Sequence, residues 1–196
     1  APDGKAARSE ETIRAATDAA SKPLLRLTKE RGSGGLSAEG YLRVGPSDGT
    51  SLWLSSSQLR RIHLRCEVRI PPLGVGGLVF AGRDLDKRTD EFWKNSKQIG
   101  VLVMHAKTLK DVACTLHGAA RAGMREGTEI TVVRPKSGWL QVELACTGRH
   151  VTAKVNGSAV GDYAMPRALL GGDWGFFSVG QTLLDVRNLE VGQGPL

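Results

Sequence analysis

Several things are scarce in this 196-residue sequence. Aromatic residues are few: four Trp, four Phe and two Tyr, so a core has to be filled chiefly by Val, Leu and Ile. No apolar run approaches the ~18 residues of a membrane span. Nothing at the start reads as a signal peptide, and a cleaved one would leave no trace. Three cysteines, an odd number, cannot all pair internally. No Cys-x-x-Cys pair, His-x-x-x-His spacing, P-loop, dinucleotide fingerprint or nucleophile elbow occurs. These absences argue against zinc-site, nucleotide-binding and serine-hydrolase chemistry, and leave His63, His105, His117 and His150 as sheet or surface histidines.

Glycine, by contrast, is abundant at 25 residues, which suits an all-β chain with many turns. The length fits one domain with an appendage. The net charge is +7, and it is spread: residues 1–31 carry 7 basic and 5 acidic side chains, the rest 20 and 15. A spread excess suits either a plain basic surface or attraction to polyanions.

The pattern along the chain is that of short strands. Ser9 to Ala20 reads as a helix, with Ser9 as cap, Glu10 and Glu11 at its positive end and Pro23 as terminator. Residues 1–35 are therefore assigned to an N-terminal helix and linker, and residues 36–196 to a β-sandwich. Arg60 to Ile70 is the clearest strand: Ile62, Leu64, Cys66, Val68 and Ile70 share one face and His63, Arg65, Glu67 and Arg69 the other. Gly74 to Arg83 follows, its paired glycines allowing a bulge or a close backbone approach. Lys97 to Ala106 has apolar residues on both faces, which makes it central. Asp111 to His117 is its hairpin partner. Glu129 to Arg134, Trp139 to Cys146 and His150 to Asn156 read as a meander, and Asn156-Gly157 as a two-residue turn. Further strands fall near Trp174 to Val179 and Leu183 to Val191, for roughly eleven to thirteen in all, at a spacing typical of sandwiches. Cys66, Cys114 and Cys146 each fall in phase with apolar neighbours, so all three are expected to be inert core thiols. Reduced thiols lean towards a cytoplasmic setting without excluding export.

Four segments, RIHLRCEVRIPP, GVGGLVFAGR, GWLQVELACTGRHVTAKVNG and LLDVRNLEV, resemble the concanavalin A-like jelly rolls, in particular the laminin-G-like and 3-keto-disaccharide-hydrolase-like group. The likeness spans about residues 36–191. It implies a two-sheet antiparallel sandwich with one concave sheet, with Trp139 as a core anchor and Arg187-Asn188 at a strand end. Members of the group range from sugar- and protein-binding modules to glycoside-cleaving enzymes, whose carboxylates stand on the concave strands. Here the corresponding strand, KQIGVLVMHA, offers Gln98 and His105 but no acid, and the Glu-x-Asp-x-x-Glu signature is missing.

Three functions follow as expectations. The first is a non-enzymatic module binding a glycan or protein partner through the concave face and loops, as part of a larger protein. Its ligand-binding residues are Arg83, Asp84, Trp93, Gln98 and His105, with Trp93 in the polar insertion 84–96 as a stacking platform. The second is a glycoside-active enzyme drawing acids from loops (Asp84, Asp86, Asp111 and Asp173). The third is a polyanion-binding adaptor using Arg60, Arg61, Arg65 and Arg69. No cofactor is expected. Calcium is the one cation raised, by Asp84, Asp86, Asp90 and Glu91, and the interleaved Arg83, Lys87 and Arg88 oppose it.

Overall fold

The computed structural model describes residues 27–55, 61–93, 96, 98–120, 123–147, 150–164 and 172–192. The helix expected at Ser9–Ala20 and Arg60 of the basic strip lie outside these residues. In chain order the strands are Leu27–Arg31 (β1), Gly34–Leu36 (β2), Leu42–Val44 (β3), Thr50–Ser55 (β4), Arg61–Arg69 (β5), Val75–Arg83 (β6), Gln98–Ala106 (β7) and Asp111–Ala120 (β8). They continue with Gly123–Glu126 (β9), Ile130–Val133 (β10), Leu140–Thr147 (β11), His150–Val155 (β12), Ser158–Ala164 (β13), Asp173–Val179 (β14) and Leu184–Gly192 (β15).

Among the described residues they form two antiparallel sheets. The first runs β1-β4-β14-β6-β7-β8-β10, with β9 also on β8, and the second runs β13-β12-β11-β5-β15-β3-β2. The fold is the expected all-β, two-sheet jelly-roll sandwich. The main apolar cluster draws on both sheets, Leu78, Leu102 and Phe176 from the first and Leu64, Val68 and Leu144 from the second, so it fills the space between them. Cys66, Cys114 and Cys146 lie in it, free and buried. Burial raises all three thiols; Cys114 is pushed up to about 12 and Cys146 to about 11, so none is a nucleophile.

The structure corrects five readings of the sequence, the last of them at Trp139. The boundary at 35/36 is not structural: β1 pairs with β4 and β2 with β3, so both belong to the sandwich. The segments 129–134 and 139–156 are not one meander, because β10 pairs with β8 in the first sheet while β11 joins β5 in the second. A strand goes unread at Ser158–Ala164, although the turn before it is of the expected kind, with φ of 50° at Asn156 and 78° at Gly157. Arg187-Asn188 is not a strand end but a bulge within β15, where the register on β5 shifts between Arg187 and Glu190. The bulge has a purpose that alternation explains. Leu184 and Val186 face the core, and strict alternation would next turn Asn188 inward. The extra residue, with Asn188 at φ 50°, moves Leu189 and Val191 inward instead.

Trp139 is buried but is not the core anchor expected. Leu140, Val142, Leu144 and Cys146 take the inward phase of β11, which turns Trp139 to the outer face of the second sheet. There the guanidinium groups of Arg187 and Arg69 lie 4.0 and 4.7 Å from its ring, and Tyr41 meets it edge-on at 5.0 Å.

Candidate functional site

The first sheet carries a second apolar cluster on its outer face, made of Leu52, Leu54, Val79, Ile99, Val101 and Phe177 with Phe92. Strand alternation produces it. Leu102 and Met104 point into the core, so Ile99, Val101 and Val103 must point away from it. Such a face would be costly to leave wet, and part of it is covered by the insertion that follows β6.

The insertion is anchored by both charge and packing. Asp90 accepts a hydrogen bond from the Thr50 amide at 2.7 Å and pairs with Arg31 at 2.8 Å. Lys87 bridges Glu30 at 3.3 Å and Asp173 at 3.4 Å. Asp86 accepts from the Arg88 amide at 3.1 Å. These acids are thus engaged by the protein itself, and among the described residues no group of three His, Cys, Asp or Glu could hold a metal ion. Phe92 is fully buried against the outer face, 5.9 Å from Phe177. It supports Trp93 edge-on at 4.9 Å.

Trp93, half-buried, forms one wall of a pocket of about 260 Å³. Ile99, Val101 and Val103 of β7, Val75 of β6, and Phe177 and Val179 of β14 make its floor and sides, and His117 of β8 stands beside Val101. Gly77 lies between Val75 and Val79 in the same phase. A Cβ there would come within 1.9 Å of the Leu102 carbonyl oxygen, so the glycine permits the close approach of the β6 and β7 backbones beneath the pocket.

Of the residues expected to bind a ligand, Trp93 lines this pocket. His105 is exposed and paired in register with Val75 at the pocket's edge. The other three are not brought to it. Arg83 and Gln98 are register partners at the opposite end of β6 and β7, about 23 Å of strand from His105. Asp84 follows Arg83 with φ 53°. Alternation turns Gln98 away from the outer face, and its amide donates to the Ala81 carbonyl at 3.1 Å. His117, Val75, Phe177 and Val179 were missed. The in-phase trio Val112, Cys114 and Leu116 was the signal that His117 must face outward.

Of the acids proposed for catalysis, Asp111 stands apart from Asp173, while Asp84 and Asp86 follow β6 at the Asp173 end. Asp173 pairs in register with Gly82 at one end of the sheet, whereas Asp111 pairs with Val133 at the other and accepts from the Thr108 hydroxyl at 3.1 Å. Glycosidic hydrolysis needs two carboxyls within about 5–9.5 Å; the length of β7 separates these two. The basic strip on β5 is interleaved with acids. Arg65 pairs with Glu143 at 3.7 Å, and Arg69 donates twice to Asp185, at 2.6 and 3.2 Å, where Arg43 also donates at 2.9 Å. Glu67 accepts from Arg187 at 2.6 Å and Asn188 at 2.7 Å. Arg61 is exposed. Among the described residues no helix is long and apolar enough to cross a membrane.

Sheet order, inter-sheet core and outer-face pocket define a sandwich of the concanavalin A-like class. Solved structures agree with this. The carbohydrate binding module CBM66 from Bacillus subtilis superposes with a TM-score of 0.62 at 18% identity, covering 85% of this chain and 95% of its own. A legume lectin-like domain from Entamoeba histolytica gives 0.58 at 11% identity, over 86% and 90%. The Bacillus licheniformis β-glucanase gives 0.57 at 9%, over 99% and 91%. More narrowly, residues 17–186 match the model of the 3-keto-alpha-glucoside-1,2-lyase-like domain, and the chain belongs to that family. No curated protein matches it.

Proposed function

We propose that the chain is a non-catalytic binding module that holds a glycan-bearing ligand on the outer face of its first sheet, with Trp93 as the stacking wall. The observation that carries this reading is the pocket itself. It is open and walled by an indole, and its lining contains no carboxylate. Apolar sugar faces stack on indole rings. The fold is shared with structures described as a carbohydrate binding module and a lectin-like domain, which supports a glycan over a protein partner. The ion pairing of Arg65 and Arg69 gives the polyanion reading less support. A glycan array tests the proposal. Hits that vanish in Trp93→Ala are expected, and an array with no hits, or with hits indifferent to that change, would refute it.

A second reading draws on the family match. Elimination from a 3-keto glucoside needs one base rather than a carboxylate pair. The ketone acidifies the proton at C2; a base takes that proton, its electron pair forms the C1–C2 double bond, and the C1–oxygen bond breaks to release the alcohol. His117 is the titratable side chain lining the pocket. Growth of enone absorbance from a 3-keto glucoside, lost in His117→Asn, would establish this reading over the first. A flat trace would remove it.

A further inference from the structure

The lining of the pocket says more about the ligand than that it is a glycan. Val75, Ile99, Val101, Val103, Phe177 and Val179 present only carbon, and the lining's ring nitrogens belong to Trp93 and His117. A pyranose seated fully inside would bury several hydroxyls with almost nothing to bond them, and each unpaired hydroxyl is costly. The same walls suit a hydrocarbon group. A dry cavity of about 150 Å³ lined by Leu, Ile and Phe already accepts benzene. The volume here, about 260 Å³, takes a ring with a few further carbons. The pocket also belongs to an apolar cluster separate from the inter-sheet core. Val179, at its rim, is exposed.

We propose that this site binds glycosides through an apolar aglycone, an aryl or short alkyl group inserted between Trp93 and the valines of β6, β7 and β14, while the sugar stays at the rim. This rests on the outer-face reading of the site. Each methylene that enters should tighten binding roughly fourfold, and the gain should stop when the pocket is full.

Calorimetric titration with methyl, ethyl, butyl, hexyl and octyl β-D-glucosides, with phenyl β-D-glucoside and with toluene tests it. The expected result is affinity that climbs with chain length and then levels off, with phenyl glucoside near the plateau and toluene also bound. Two variants should erase the climb. Val179→Asp puts a charge at an exposed rim position, and Val103→Phe fills the pocket with carbon. Methyl and hexyl glucosides binding equally well would overturn the aglycone proposal and leave the outer-face site standing. A climb that persists in both variants would also overturn it, since the alkyl chains would then bind elsewhere. If none of the probes, toluene included, bound at all, the outer-face reading would fall with it.

Discussion

Replacing Phe92 by alanine asks whether packing or charge holds the insertion that carries Trp93. The ring is fully buried between the insertion and the outer face of the first sheet. Deleting such a side chain costs about 3–5 kcal/mol, and its edge-on contacts with Trp93 at 4.9 Å and Phe177 at 5.9 Å fall within that loss. The ion pairs on the same insertion involve partly exposed groups, and such pairs contribute only about 0–1 kcal/mol each. The apolar anchor should therefore dominate. Urea unfolding followed by far-UV circular dichroism should show Phe92→Ala less stable by about 3 kcal/mol or more. Lys87→Ala, which removes two surface pairs, should lose under about 2 kcal/mol. Hydrogen exchange at the Thr50 amide, which Asp90 protects, should quicken in the first variant. A loss below about 1 kcal/mol in Phe92→Ala, or a larger loss in Lys87→Ala, would refute the reasoning.

Other outcomes follow from the same structure. The three thiols should resist iodoacetamide in the folded protein at pH 8 and react on unfolding. Because folding raises them, the unfolded chain sheds thiol protons first, so stability should decline as pH climbs from about 9 towards 12; a native-state thiol reacting at the unfolded rate would contradict this. Desolvation, with Arg65 adding to it, lowers the pKa of His63. The unfolded state therefore binds the proton first, and stability should fall as pH drops below about 6.5. That dependence should flatten in His63→Gln, and an unchanged pH profile would count against the assignment. Asp185, only 3% exposed, takes bonds from Arg43 and Arg69. Both arginines can rehydrate, so Asp185→Ala should cost about 2 kcal/mol in a thermal melt, and a change under about 0.5 kcal/mol would show the cluster to be ornamental.

Periodicity carried the sandwich. The alternation of Arg60–Ile70 and the Asn156-Gly157 turn are local signals, and both are realised in β5 and the β12–β13 hairpin. The β15 bulge could not be read that way, because a period-2 pattern puts Leu184 and Val186 out of phase with Leu189 and Val191, and only pairing with β5 shows which residue is extra. Trp139 was misassigned because an indole reads as core. Its own strand shows it out of phase with Leu140 and Val142, and the two arginines that shield it come from β5 and β15. The site was half legible. Apolar residues on both faces of Lys97–Ala106 signalled that the outer face would be covered, and Trp93 stood out in its polar insertion. Val75 lies far in sequence from Phe177 and Val179 and meets them only through the β14–β6 register.

The most direct test of the central claim is a valine-methyl NMR titration with phenyl β-D-glucoside. Shifts should concentrate on Val75, Val101, Val103 and Val179, together with the Trp93 indole signal. Shifts confined instead to the opposite sheet, around Tyr41 and Trp139, would contradict it.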